Sequence, residues 1–495
     1  VNALNAHLPA LQVIVPMLMA PFVMLLRVRG LPWAATTATS LLAFSIAIEL
    51  TMQVMGGTAV AYAMGSWAAP YGIELRVDAL SALVLLVVTG ASTAALVGGR
   101  ESLAAFIQKV QEPYFYAAWL LALAGLVGMV VSGDAFNIFV FMEISSLASY
   151  VLFAGGPDRR SLTATFKYVI MGTMGATFYL IGVGLVYMMT GTLNLADMEL
   201  RIAEVADQRA IIAATGFITV GLALKAAIFP LHAWLPGAYT YAPHIVTAFM
   251  AACATKVSIY VLLRFDFFVF QQNVDEHAYQ FSAYLMPAAI LGILVGSGVA
   301  MFERNIKRML AYSSVAQIGY IVLGASLLTA TGLTAGMLHM FNHALAKGGL
   351  FLAVAAVTMV VAGYRLGDIA GLARRMPWTF AALVIAGLSL IGIPGTAGFI
   401  SKWYLINAAL ELETGGVALV ALILVSSLMA VVYVWRIVEA AYFGEPTNMN
   451  IARVPPALSV ILWTVAIANI VFGVYPDLPL SLSATAAEIL LGHLP

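Results

Sequence analysis

Long apolar runs separated by short polar junctions set the pattern of this chain. Runs of about 20 mostly apolar residues, the length a helix needs to cross a bilayer, lie near 8–26, 31–55, 80–98, 113–132, 135–154, 162–189, 210–229, 243–263, 282–302, 309–328, 331–361, 378–411, 417–443 and 456–475. No polar stretch is long enough for a soluble domain; the longest, around 190–209, has about twenty residues. The first run lacks a basic leader segment, and Arg27 and Arg29 follow it rather than precede it. It is therefore expected to be a span, not a cleaved signal. Segment 58–78, which mixes Gly, Tyr and Trp with alternating positions, predicts a short hairpin. The last twenty residues, from 476 and including 481-SLSATAAEILLGHL-494, predict an amphipathic helix lying on the outer surface. The pattern predicts an all-α polytopic membrane protein with about 14 transmembrane helices.

Composition agrees and narrows the classes. Of 495 residues, 62% are hydrophobic and 9% charged, against about 25% charged in soluble domains. The mean hydropathy is +0.98. A soluble enzyme and a disordered chain are excluded. Cys253 is the single cysteine, which removes disulfides, thiolate zinc sites and protein-ligated iron–sulfur clusters. Basic and acidic residues both number 23, so no nucleic-acid partner is expected. No nucleotide motif or redox centre is present, and no cofactor or metal is expected.

The few charges fix the topology. With fourteen spans, one side of the membrane collects Arg27, Arg29, Arg100, Lys109, Arg159, Arg160, Lys167, Arg304, Lys307, Arg308, Arg365, Arg374, Arg375, Arg436 and Arg453. The other collects Arg76, Arg201, Arg209 and Arg264, with Asp197, Glu199, Glu204, Asp207, Asp275 and Glu276. A miscounted helix would scramble this bias. The first side is read as cytoplasmic, which places both termini on the outer face of a bacterial cytoplasmic (inner) membrane.

Six charges inside apolar runs are assigned to neither side: Lys225, Lys256, Lys347, Lys402, Glu143 and Glu49. A lysine at the bilayer centre costs roughly 2.5–3.5 kcal/mol on insertion scales, so such groups face protein or water and mark proton relays, ion pathways or counter-ions. Glu143 needs a proton or a cation, and Lys225 is its candidate partner; a permanent structural pair and a switchable one both stay open. In 339-HMFNHALAK-347 the spacing puts His339, His343 and Lys347 on one helix face, about 6 Å apart along the axis. That stripe reads as a proton wire. A zinc pair at i, i+4 is the rival reading, disfavoured by the adjacent lysine; satisfied core histidines are another. Glu49 has no evident basic partner. His232, His244 and Lys167 are candidates for proton uptake, with Lys167 equally readable as an anchor.

Two runs contain helix-breaking chemistry. Lys225 precedes 229-FPLHAWLP-236, and Lys402 follows 391-IGIPGTAGFISKW-403. Pro and Gly at these densities end regular helices. Broken helices at membrane depth are tolerated only where they are buried in protein or line a cavity, and in transporters they mark the binding site. An ordinary proline kink is the plainer alternative.

Residues 137–153, 225–265, 303–324, 339–352 and 391–403 together resemble the antiporter-like proton-channel subunits of the complex I superfamily. The strongest signatures are PLHAWLPGAYTYAP and TKVSIYVLLRF between Lys225 and Phe265, and 306-IKRMLAYSSVAQIGY-320. The resemblance covers about residues 75–450. Segments 134-DAFNIFVFMEISSLASYVLFAGG-156 and 190-TGTLNLADM-198, with lysine at 402, look most like the D-type subunit of Mrp-type multisubunit Na+/H+ antiporters. Small residues in 344-ALAKGG-349 and His244 depart from the pattern and leave room for a subunit of a redox-driven, complex I-like or hydrogenase-type oxidoreductase. The chain stops soon after the fourteenth run, so the long lateral helix of the largest complex I subunit is not expected.

The resemblance implies two inverted five-helix repeats with two broken helices, set in N-terminal helices 1–112, a first repeat 113–264, a second repeat 282–443, and a C-terminal part 456–495. It implies a proton path through Glu143, Lys225, Lys256, His339, His343, Lys347 and Lys402. It also implies other membrane subunits and the lipid bilayer as partners, with protons and Na+ as transported ions.

Overall fold

The computed structural model describes residues 5–108, 110–206, 208–270, 281–361, 363–445 and 454–492. Lys109, Asp207, Asp275, Glu276 and Arg453, which enter the charge bias, lie outside the described residues. The N-terminal part comprises α1 (Leu8–Met24), α2 (Leu31–Met55), a hairpin of β1 (Val60–Ala63) and β2 (Glu74–Val77), and α3 (Ala79–Phe106). Then follow α4 (Glu112–Val131), α5 (Ala135–Ala154), α6 (Arg160–Thr190), α7 (Leu195–Ile202), α8 (Arg209–Ala226), α9 (Leu235–Tyr241) and α10 (His244–Leu263), which continues as a π-helix, Arg264–Phe270. The remainder is α11 (Phe281–Phe302), α12 (Ile306–Ser326), α13 (Ala330–Thr358), α14 (Pro377–Ile391), α15 (Ala397–Leu410), α16 (Gly416–Phe443), α17 (Pro456–Val474) and α18 (Asp477–Leu490).

Among the described residues, thirteen helices are long and apolar enough to cross a membrane, and a bent pair raises the number to fourteen. In that pair the segment Leu366–Arg374 turns by 115° into Pro377–Ile391. The predicted run 378–411 is thus split: α14 ends at Gly392, whose φ of +91° only glycine adopts easily, and α15 starts at Ala397. The run 210–229 likewise stops at Ala226, and a one-turn-plus α9 completes it. The 58–78 hairpin forms in antiparallel register, with Val60 opposite Val77. The C-terminal amphipathic helix begins at Asp477, where the pattern from 476 places it. It does not simply lie on a surface: Leu482, Ser483, Ala486, Ala487 and Leu490 are buried, against α3 and α13.

The bundle is built twice. The α4–α5 turn bonds the segment after α6, Ala135 N to Leu193 O at 2.8 Å and Leu195 N to Gly133 O at 2.9 Å. The α11–α12 turn bonds the segment after α13 in the same way, Ile306 N to Tyr364 O at 2.9 Å and Leu366 N to Arg304 O at 3.0 Å. The resulting bridges, Asp134 to Asn194 and Asn305 to Arg365, are displaced along the chain by the same number of residues at both positions. Asp134 and Asn305 each cap the helix that follows, accepting from Asn137 N and Arg308 N. Between the two bridges the chain crosses through α5, α6, α8, α10 and α11, an odd number. The two units therefore lie upside down relative to each other.

Helices at the centre are sealed by protein. The best membrane windows of α10 and α12 are each 94% buried, and that of α13 is 89% buried, whereas that of α17 is 28% buried. Side chains on α10, α12 and α13 can thus be ionisable without meeting lipid. Small residues bring helices close where no side chain intervenes. A Cβ on Gly182 of α6 would stand 2.8 Å from the Ala214 carbonyl and 3.1 Å from Ile218 N of α8. Gly184, two residues on, has nothing within 4 Å. Gly182→Leu should therefore cost at least about 1–3 kcal/mol and visibly lower the thermal midpoint of the detergent-solubilised protein. Gly184→Leu should leave it in place.

Candidate functional site

The two helix breaks each present a lysine to oxygen ligands. Lys225 lies in the last turn of α8, where carbonyls lack intrahelical partners and the dipole favours a cation. Ala227 takes a left-handed φ of +57°, and Trp234 Nε1 donates to the Leu224 carbonyl at 2.9 Å, closing the break. Lys225 Nζ donates to Ser146 Oγ at 2.6 Å and lies 3.9 Å from Glu143 Oε1. Serines 145, 146 and 149, with Tyr168, Trp234 and Ser258, line a small void of about 20 Å³ beside the lysine, room for about one water. The sequence pairing of Glu143 with Lys225 is thus present as a loose contact, with Ser146 rather than Glu143 accepting the lysine's hydrogen bond.

Lys402 occupies the corresponding position in the second unit. It is one turn into α15 and reaches back to the open end of α14, donating to Ile391 O at 2.7 Å, to Leu390 O at 3.4 Å and to Ser427 Oγ at 2.9 Å. Its Nζ lies 4.8 Å from the centre of the Tyr320 ring, a cation–π contact. Among the described residues no carboxylate takes part.

Between the two breaks stand α10 and α13. Lys256 is 1% exposed and donates to the Ala251 carbonyl of its own helix. Helix α10 packs against α13, so Lys256 shares one interior with His339, His343 and Lys347. Lys347, 0% exposed, donates to Leu310 O at 2.7 Å and to Ser313 Oγ. His339 is held at both ring nitrogens, by Ser401 Oγ at 2.8 Å and Gln317 Oε1 at 2.9 Å. His343 stacks on it with ring centres 6.2 Å apart, yet neither of its own buried nitrogens has a hydrogen-bond partner in the protein. The straight helix α13 therefore carries the predicted stripe from Ser401 beside Lys402 back to Lys347.

The uptake candidates are less alike. His244 opens α10, its ring edge-on to Tyr364 with centres 5.8 Å apart and its Nδ1 unpartnered. His232 stacks on Phe229 within the first break. Lys167 is exposed on the outside of the bundle, two turns into α6, and joins none of the buried groups. Glu49 is half-buried in α2 and accepts from Gln53 at 3.1 Å, an ordinary i, i+4 contact.

Two residues counted by sequence as loop charges are buried. Lys307 is 1% exposed, donates to the Ala242 carbonyl at 2.7 Å and sits over the Tyr364 ring that His244 touches. Arg264 is 7% exposed and pairs with Asp78. Lys307 stands at a helix end between the surface residues Arg304 and Arg308, and Arg264 at the junction of α10 and its π-helical continuation. The neutral ligands Ser313, Gln317 and Tyr320 were also passed over, although they recur every three or four residues along α12 and so mark one face.

An inverted pair of helix units with a broken helix in each, joined by buried ammonium and imidazole groups, defines an antiporter-like membrane subunit. The chain belongs to the NADH:quinone oxidoreductase/Mrp antiporter transmembrane family, whose model matches residues 132–430. It is 44% identical over 463 residues to the NADH-quinone oxidoreductase subunit N of Desulforudis audaxviator, covering 92% of this chain and 90% of that protein. It is 30% identical over 442 residues to the D-type subunit of the Na(+)/H(+) antiporter of Bacillus subtilis, covering 88% and 86%. Its fold matches a chain of the Mrp complex from Dietzia sp. DQ12-45-1b with a TM-score of 0.90 at 28% identity, covering 99% and 98%.

Because the Glu143 carboxylate stands 3.9 Å from the ammonium with no hydrogen bond between them, its pairing with Lys225 should be weak. A double-mutant cycle of Glu143→Gln and Lys225→Met, read as thermal stability, should give a coupling of about 1 kcal/mol or less. A coupling several times larger would identify a fixed structural pair.

Proposed function

We propose that this chain conducts protons along its row of buried groups as a membrane subunit of a multisubunit monovalent cation (Na+)/H+ antiporter. Protons enter near His232, His244 and the Glu143–Lys225 pair, pass Lys256, follow Lys347, His343 and His339 along α13, and leave at Lys402. Glu143 gates the path: its approach favours a charged Lys225, and its withdrawal leaves that ammonium to a serine and releases the proton onward. Lys167 stands outside this row and serves as a cytoplasmic-side anchor. The charge bias supports an orientation with both termini outside and the chain in a cytoplasmic membrane.

The first repeat, 113–264, and the second, 282–443, act as two half-channels, with 1–112 and 456–495 bracing them. One observation carries the reading: the buried lysines are held by serine or carbonyl oxygens rather than by carboxylates, Lys225 excepted. A cation held by neutral dipoles can lose its proton without leaving an unpaired anion behind.

The 44% identity to a quinone oxidoreductase subunit favours a second reading of the driving force. The same path would then be powered by quinone or hydrogenase-type chemistry elsewhere in a redox complex. Vesicles holding the whole complex separate the two. Proton flux that follows a sodium gradient supports the antiporter; flux that requires a quinone reductant and ignores sodium overturns it in favour of the redox complex.

The path itself is tested in the same vesicles. His343→Ala should slow proton flux at least about tenfold with normal assembly, since no protein hydrogen bond holds its ring nitrogens. Lys225→Ala and Lys402→Ala should abolish it. Wild-type flux in all three would reduce the chain to a scaffold.

A further inference from the structure

The small residues that set 344-ALAKGG-349 apart have a use outside the proton row. Ala344 and Gly348 stand one turn apart on α13, on a face adjoining that of His343 and Lys347. A Cβ on Gly349 would lie 3.3 Å from Val465 of α17, but a Cβ on Gly348 would meet nothing within 4 Å. Although α13 is a central helix, Leu345 and Gly348 are partly exposed, while Lys347 between them is 0% exposed.

Ala344, Leu345 and Gly348 open onto a cavity of about 430 Å³, within the ordinary size of a ligand site. Its walls come from α2, α3, α10, α13, α17 and the start of α18. Along α17 it runs from Ile461 to Phe472, about 16 Å of helix. Its rim, at Ile48 of α2 and Thr464 of α17, is exposed on the outside of the bundle.

The lining has nothing to offer water. Among the described residues its only polar side chains are Thr93 and Thr464. Both hydroxyls are already used, Thr93 Oγ1 with Ser40 Oγ at 3.0 Å and Thr464 Oγ1 with the Val460 carbonyl at 3.0 Å. A buried water needs two to four polar partners, so the occupant is apolar along its whole length. It is also thin. A helix about 10 Å across would need on the order of 1,000 Å³ over the same length. One end carries charge. Arg100, five residues beyond Ala95 of the lining, is exposed and lies over the Trp33 ring, 4.2 Å from its centre. A Cβ on Gly30 would stand 3.9 Å from Arg100 Nη2, which brings Arg29 to the same end. There Arg27, Arg29 and Arg100 outnumber Glu101 and Glu112, and Glu112 is bonded to Gly30 N at 3.0 Å. Such an end suits an anionic phosphate.

We propose that this cavity holds one acyl chain of an anionic phospholipid, with its phosphate at the arginine end and its chain along the back of α13. The chain supplies the apolar volume that Ala344 and Gly348 leave to it and closes the wall behind Lys347.

The test uses the whole complex in vesicles of phosphatidylethanolamine and phosphatidylglycerol. A phosphatidylglycerol probe carries a photoreactive diazirine midway along one acyl chain, and labelled peptides are mapped by mass spectrometry. Label should appear on α13 around Leu345 and Gly348 and on α17 around Ala468. Gly348→Leu and Ala468→Leu should each cut the α13 label severalfold and leave label elsewhere on the complex unchanged. A phosphatidylcholine probe should label α13 severalfold less, and Arg100→Gln should erase that preference. The wild-type map decides the matter even if a variant fails to assemble. Label elsewhere on the complex with none on α13 overturns the site, as does wild-type α13 label in both cavity-filling variants. Displacement of the α13 label by added menaquinone overturns the phospholipid in favour of an isoprenoid tail. Equal wild-type labelling by both probes overturns the anionic headgroup.

Discussion

Everything in this molecule follows from holding ammonium groups where no water is plentiful. An ammonium offers three donors and needs oxygen acceptors. In a membrane span nearly every backbone carbonyl is already used by its own helix. The chain meets this demand by breaking helices, which frees carbonyls at their C-terminal ends. Lys402 takes Ile391 O and Leu390 O from the end of α14. Lys225 sits in the final turn of α8 and draws on Ser146 across the bundle. The break after α14 is thus a ligand source, whereas at the end of α8 Trp234 takes the freed Leu224 carbonyl.

Where the helix is unbroken, side chains of a neighbour supply the oxygens instead. Helix α13 runs straight past the middle of the bundle, and α12 alongside it offers Ser313 to Lys347 and Gln317 to His339. Ser313 is itself tied to the Leu310 carbonyl at 3.0 Å, and that same carbonyl accepts from Lys347. Serine in this role costs little helix stability, because its hydroxyl can fall back on its own helix when the lysine no longer needs it. Close glycine contacts, such as that of Gly182 of α6 against Ala214 and Ile218 of α8, keep the helices around Lys225 tightly packed.

The sequence made the spans, the breaks and the buried lysines legible because each violates a strong local rule: charge in an apolar run, or proline and glycine inside a helix. It did not reveal Lys307 or Arg264. Their burial depends on helix ends tilting inward against Ala242 and Asp78, residues far away along the chain. Charge counting treats any lysine near a span end as a surface marker, and nothing local contradicts that for Lys307 between Arg304 and Arg308. The reverse error concerns Lys167, which lies well inside its helix yet faces outward. The inverted repeat was legible only through resemblance. In the folded chain it rests on backbone hydrogen bonds between turns, which leave no residue signature beyond the capping Asp134 and Asn305.

Spacing then decides how such a row behaves. Unit charges about 6 Å apart interact by about 3 kcal/mol at an effective dielectric of 20, several times the thermal energy. His339, His343 and Lys347 stand at that interval, so neighbouring members resist being charged together, and a proton arriving at one end favours departure at the next. Ligands matter as much as spacing here. Had each lysine been paired with a carboxylate, its proton would be pinned and the coupling between neighbours cancelled at short range. Neutral oxygens solvate the charge without cancelling it. The one carboxylate in the row, Glu143, stands at its edge, partly exposed and at a loose 3.9 Å. It is placed where a modest movement changes the charge state of Lys225 and, through the remaining unscreened neighbours, of the row behind it.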